Sequence, residues 1–263
     1  MVPFFRKLRE PRLTEGKVFK YLKYAIGEIV LVVIGILIAL AINNVNEDRK
    51  DIQREQLVLL QLKEDYEANL EQLDEKIAMR DQMNHSSFRI LNLIDHPEQA
   101  NRDSLITYVS HSMMDPTFDP IQNDLMASGA LRLIRNEDLK QLLSRWSSEV
   151  VQLTETELQW QKIRSEVYIP YIIRSGLARD INNAFWKDED PPIFILNRNA
   201  KRDFIIGPST HTPDLKSLLA DPELEGIVTI SFTLNHVCNL QSETLRQRII
   251  ELLNLLEAEL NKT

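Results

Sequence analysis

From Ala25 to Ile42 the chain is apolar except for Glu28, and no other stretch of its 263 residues approaches this. The uninterrupted part, Ile29 to Ile42, is 14 residues long, a length that alone suits a buried core helix. Counting from Tyr24 gives 19 residues, about 28 Å at roughly 1.5 Å per residue, enough to cross a bilayer core. The segment consists of Ile, Val, Leu, Ala and Gly around Glu28 and predicts a transmembrane helix over 25–43. A cleaved signal peptide is the alternative, because Ala39-Leu40-Ala41 has the small-x-small form a signal peptidase accepts. Glu28 inside the apolar region, and a helical pattern that continues past the cleavage point, argue for the uncleaved span.

The flanks set the orientation. Residues 1–24 carry Arg6, Lys7, Arg9, Arg12, Lys17, Lys20 and Lys23 against Glu10 and Glu15, a net of +5. The far side opens with Asn43, Asn44, Asn46, Glu47 and Asp48 before any cation. The positive-inside rule then predicts a cytoplasmic basic tail over 1–24 and an extracytoplasmic domain over 44–263. Phe4, Phe5, Phe19, Tyr21 and Tyr24 interleave with the cations, which suits interfacial anchoring or an anionic membrane surface. Within the span, Gly27, Gly35 and Ala39 share a narrow face with Leu31 and Asn43, a pattern that favours close helix packing and a homo-oligomer. Glu28 is the one ionisable group of the span, about one turn from the cytoplasmic edge; intramembrane acids mark assembly contacts or proton paths.

Beyond the span, no Gly or Pro occurs between Gly35 and Pro97. Leu59, Leu62, Tyr66, Leu70, Leu73 and Ile77 recur at helical spacing, so the membrane helix is expected to continue into a long helix over about 44–94. Its apolar face needs another helix, from the same chain or a second copy. Asp95-His96-Pro97 and Asp115-Pro116 through Asp119-Pro120 are breaks, with a short helix between them carrying Leu105, Ile106 and Val109. Asn136 reads as an N-cap followed by Glu137 and Asp138, with a helix to about residue 167. Residues 168–212 read as irregular, with Ile193–Leu196 and Phe204–Ile206 as short strands or apolar coil. Asp221-Pro222 starts a long C-terminal helix over about 222–260, whose expected face includes Ile227, Ile230, Leu234, Val237, Leu245 and Ile249. The two long helices have similar lengths and are expected to pack antiparallel in an all-α bundle.

Signatures of chemistry are absent. There is no phosphate-loop, dinucleotide-loop, zinc-protease, nucleophile-elbow or calcium-loop pattern. None of the five histidines pairs with another at helical spacing, and the single cysteine, Cys238, reads as a packed side chain. No cofactor or metal is expected. Asp115, Asp119 and Asp124 form an acidic cluster that suits general acid–base work or a cation, although turn and helix-start roles explain it more simply. Glu155, Glu157 and Glu166 read as solvated helix surface, and the basic stretch Asn197–Asp203 as a surface loop. Trp146, Trp160 and Trp186 are too far apart in sequence for a binding platform. A net charge of -8 argues against a general nucleic-acid partner. It divides into +5 for residues 1–24, -1 for the span and -12 for the remainder.

The run Tyr24-Ala25-Ile26-Gly27-Glu28-Ile29-Val30-Leu31-Val32-Val33-Ile34-Gly35-Ile36-Leu37-Ile38-Ala39-Leu40, preceded by Phe4-Phe5-Arg6-Lys7 and followed by Asn43-Asn44 and Asn46-Glu47, resembles an uncharacterised family of single-pass membrane proteins of Bacteroidota. The chain departs from that pattern at Ala41, in place of Gln, and at Val45, in place of Trp, which slightly weakens the outer interfacial anchor. The resemblance continues more loosely through Asn123–Gly129 and Leu131–Leu139. It implies an inner-membrane location with a periplasmic domain, and no reaction. The expected function is a non-catalytic, membrane-anchored periplasmic assembly or scaffolding module that meets the lipid bilayer and either itself or another envelope protein. Two alternatives stand beside it. One is a ligand-sensing module that signals through a membrane partner, since 24 residues on the cytoplasmic side are too few for an output domain. The other is a hydrolase, which requires a cavity joining residues 115–124 to residues 168–212.

Overall fold

The computed structural model describes residues 15–121, 129–187, 206–211 and 213–262, with the backbone alone for 15–21. The chain is all-α and forms two compact units, Met1–Gln56 and Leu57–Thr263. Helix α1, Glu15–Asp95, contributes to both. In the first unit every side chain from Leu22 to Lys50 is exposed. Among the described residues this is the one helix long and apolar enough to cross a membrane. A helix satisfies its own backbone hydrogen bonds, so an uncovered apolar exterior of this kind suits hydrocarbon.

The second unit is built on three long helices: residues 57–95 of α1, α3 (Glu137–Ile163) and α7 (Pro222–Leu260). Asn136 caps α3 by accepting from the Leu139 N–H at 3.0 Å. Asp221 caps α7 by accepting from the Glu223 N–H at 2.9 Å, with Pro222 in the first turn. Cross-helix bonds fix the directions. Lys63 donates to Glu257, Arg246 to Asp74 and Asn239 to Asp81, so α7 runs antiparallel to α1. Arg248 donates to Glu149 and Asn136 to Glu259, so α7 is also antiparallel to α3.

Shorter helices enclose the other half of the bundle: α2 (Arg102–Ser112), α4 (Ile169–Arg174), α5 (Ala178–Lys187) and α6 (Leu215–Leu219). The helix that begins at Glu137 does not stop at Ile163. It passes through a π-helical turn, Arg164–Tyr168, directly into α4. Pro170 accounts for the irregularity, since it has no N–H to give to the preceding turn. The expected irregular region therefore begins with two helices, α4 and α5, in which Tyr171, Ile172 and Ile181 are buried. Ile193–Leu196 and Phe204–Ile205 lie outside the described residues, as do Asp124 and the stretch 197–203.

Gly176 ends α4 in a left-handed conformation (φ 73°), with the Gly176 N–H bonded to the Ile173 carbonyl and the Leu177 N–H to the Ile172 carbonyl. A Cβ here would stand 2.6 Å from the His211 carbonyl oxygen. Gly176→Ala is expected to cost about 2–3 kcal/mol, read by denaturant unfolding of the full chain in detergent. Gly207 has a similar φ of 77° but open space around a Cβ, so Gly207→Ala should cost only about 1 kcal/mol. Equal losses at the two positions would show that the His211 contact carries no weight.

Candidate functional site

The interior of the second unit is two apolar clusters. One contains Leu59, Leu62, Tyr66, Trp146, Leu153 and Leu245. The other contains Met83, Ile90, Trp160, Tyr168, Ile172 and Val228. Each long helix passes from one cluster to the other through polar residues. On α1 the buried positions run Leu73, Lys76, Arg80, Met83; on α3 they run Leu153, Glu157, Trp160. On α7 they run Val228, Ser231, Asn235, Cys238, Ser242, Leu245. A polar layer thus crosses the bundle at one level.

Its centre is an ion pair between Arg80 and Glu157, with side-chain exposures of 0% and 4%. Glu157 had the look of helix surface in the sequence, and burial corrects that reading. Arg80 also donates to Ser242 Oγ at 2.7 Å and to the Pro116 carbonyl at 3.2 Å. Glu157 accepts from the Phe118 N–H through both carboxylate oxygens, each at 3.2 Å. Burial pushes the Glu157 carboxyl up to about 7, against the pull of Arg80 and of the Phe118 N–H. Burial also holds Arg80 below its usual range, outweighing the attraction of Glu157.

These bonds explain why the charges are there. Residues 114–121 have no regular secondary structure, so their backbone groups lack helical partners. Side chains from the long helices and the π turn supply them. The Met113 carbonyl accepts from Arg164 Nε at 2.6 Å and the Met114 carbonyl from Trp160 Nε1 at 2.9 Å. Gln72 accepts from the Asp119 N–H at 2.9 Å and donates to the Asp119 carbonyl at 3.1 Å. Asn69 does the same for Ile121, at 2.7 and 3.1 Å. Of the three acids noted in the sequence, Asp115 faces Arg164 at 4.0 Å, the Asp119 backbone is held by Gln72, and Asp124 lies outside the described residues.

Beside this layer is a cavity of about 730 Å³. Its polar end carries Lys76, Asp115 and Arg164; Met79, Met113, Met114, Ile172, Ile181 and Phe185 form most of its apolar wall. It joins residue 115 to the region after 168, the two stretches that a hydrolase would need to bring together. The wall is mainly apolar, however, and holds one carboxylate, Asp115, whose pKa burial raises. Among the described residues, no group of three or more His, Cys, Asp and Glu is placed to hold a metal ion.

The remaining residues singled out in the sequence sit in the first unit. Gly27 and Gly35 have open space where a Cβ would be, and Glu28 and Ala39 are exposed. Lys23 is exposed on α1; Lys17 and Lys20 are described by backbone alone, and Arg6, Lys7, Arg9 and Arg12 lie outside the described residues. Arg80 and Lys76 do not stand out in the sequence, and Glu157 reads there as surface. Their signal was present, because each falls at a three- or four-residue step in an apolar stripe.

Comparison with known proteins adds one similarity. No curated protein and no solved structure matches the chain. Residues 28–95 match DUF6090, a family of unknown function, from Glu28 in the apolar segment to Asp95, where α1 ends.

Proposed function

We propose that this protein is a single-pass, membrane-anchored scaffolding module of a bacterial envelope, in keeping with its resemblance to Bacteroidota membrane proteins. The N-terminal tail is cytoplasmic, the span lies in the inner membrane, and the helical bundle assembles in the periplasm without catalysing a reaction. The observation that carries this reading is the uncovered apolar helix of the first unit, flanked by a +5 tail on one side and by Asn and acids on the other. The non-catalytic part is supported by the polar layer. Arg80 and Glu157 are committed to the backbone at Pro116 and Phe118, as structural charges are. Gly27, Gly35 and Ala39 are the positions at which a second copy or another envelope protein meets the span, with Glu28 as the polar contact.

Cysteine labelling tests the topology. Cys238 is buried and its thiol is pushed up to about 11 by burial, so it stays silent in the folded chain. An impermeant maleimide should label Lys262→Cys once the outer membrane is opened. It should label Lys7→Cys only after the inner membrane is opened as well. The reverse order would overturn the orientation. For assembly, crosslinking in native membranes should trap one discrete species that is lost in Gly35→Leu.

The cavity favours a second reading, a ligand-sensing module that signals through a membrane partner. Its size is within the range of small-molecule pockets, about 300–1,000 Å³.

A further inference from the structure

Between Glu225 and Glu243, α7 contains no Asp, Glu, Lys or Arg, the longest such stretch beyond the apolar N-terminal segment. Much of it packs into the bundle, but one side does not. Ile230, Val237 and Leu240 are 43%, 38% and 58% exposed, and Thr233 and Thr244 are exposed as well. These five positions step by three and four residues, so they form one stripe along the helix. A straight helix drifts only about 40° from such a repeat over two heptads, so the stripe stays on one face. Its threonine hydroxyls fold back onto the helix. Thr233 donates to the Thr229 carbonyl at 2.9 Å and Thr244 to the Leu240 carbonyl at 3.0 Å. Both hydroxyls are thereby satisfied without an outside partner, and the face can offer methyl groups. Exposed β-branched residues also weaken a helix, because packing within the bundle does not offset their lost rotamer freedom.

We propose that this stripe is a contact between two copies of the chain, a short parallel two-stranded coiled coil. In heptad terms Ile230, Val237 and Thr244 take the a positions, and Thr233 and Leu240 the d positions. β-branched residues at a with Leu at d favour two parallel strands. In that arrangement each layer sets a residue against its own counterpart, so a charge on the stripe would meet itself, and the stripe carries none. Charge also selects the partner. Residues 43–263 carry -12, so two copies repel over most of their surface and approach closely only where charge is absent. A basic partner would be drawn to the acidic faces instead. Two heptads make a short contact, and the shared bilayer supplies the effective concentration at which it holds. This inference rests on the assembly reading above and adds a surface of the bundle to the span positions Gly27, Gly35 and Ala39.

The test uses the full chain in native membranes under mild oxidation. Thr233→Cys and Leu240→Cys should each give a disulfide-linked dimer, while Asp103→Cys, exposed on α2, should give none. Cys238 is buried and adds no crosslink of its own. Val237→Glu or Val237→Lys, added to the Leu240→Cys chain, should lower the dimer yield at least tenfold, because each sets like charges face to face. The denaturant midpoint should stay at the parent value, which separates a lost contact from a lost fold. Coexpressing the Val237→Glu and Val237→Lys chains should restore the yield as a mixed pair. Unchanged yield in Val237→Glu would overturn the proposal. So would a mixed pair that fails to form, which would assign the face to a different partner. Ile230→Cys joining Thr244→Cys in place of the same-position pairs would overturn the parallel arrangement. Loss of the α7 dimer with the Gly35-dependent species intact would overturn this contact alone, and reversed maleimide labelling would overturn the orientation alone.

Discussion

Arg80→Met is expected to destabilise the bundle by about 3–5 kcal/mol, the usual result of removing one partner from a buried pair. The Glu157 carboxyl would stay in the core without its guanidinium partner, and the Pro116 carbonyl and Ser242 would each lose a donor. In many proteins a double replacement by apolar residues erases such a loss. Here it should not. Arg80→Met with Glu157→Leu removes the uncompensated charge, yet still strands the backbone at Pro116 and Phe118. Each buried unpaired group costs about 1–3 kcal/mol. The double variant should therefore be more stable than Arg80→Met alone and remain about 2 kcal/mol or more below the parent. Denaturant unfolding of the full chain in detergent reads all of these. A double variant as stable as the parent would show that the backbone bonds contribute nothing. A double variant equal to the sum of the two singles would show that the pair is not coupled.

Stability should also fall as pH rises between about 4.5 and 7, through Glu157. Its ordinary value of 4.5 is raised to about 7 in the fold, so the folded state holds this proton where the unfolded chain has released it. Stability is greatest below the unfolded value and is lost as pH rises through the folded one. The full swing is on the order of 3 kcal/mol. Burial raises Asp115 as well, which adds a slope of the same sign. The parent should therefore be compared with Glu157→Gln, which keeps the side-chain shape and an acceptor for Phe118. The variant's stability-against-pH curve should be flatter between pH 4.5 and 7. Parallel curves would remove Glu157 as the cause.

Much of the fold was legible because helix ends and apolar spacing are local properties. Asn136 and Asp221 cap the helices they were expected to cap, and Leu59, Leu62, Tyr66 and Leu73 face the core. The expected stripe on α7 was less secure. Ile230 and Val237 are 43% and 38% exposed, while Ser231, Asn235 and Ser242 are buried. Polar and small residues take the interior at the level of the charged layer, so hydrophobicity misplaces the face there. Glu157 reads as helix surface for the same reason. A charged residue on an apolar stripe looks like surface until its partners are known, and those partners lie on α1 and in the 113–121 segment, distant in sequence. The helices between 169 and 187 were obscured by Pro170 and by the short lengths of α4 and α5.

The segment from Met113 to Ile121 also gives α1 an indexed position. Asn69, Gln72 and Arg80 grip it from one face of that helix at Ile121, Asp119 and Pro116. A slip of α1 by one turn, about 5.4 Å, would present Leu73, Lys76 and Asn84 to the same three backbone sites. An isobutyl group in place of a matched amide leaves both Ile121 backbone groups without partners. No intermediate setting pairs them either, because two of the grips are two-point contacts. The helix is therefore seated like a keyed shaft: motion along its axis is stepwise and costly, and a fractional shift is not a stable state.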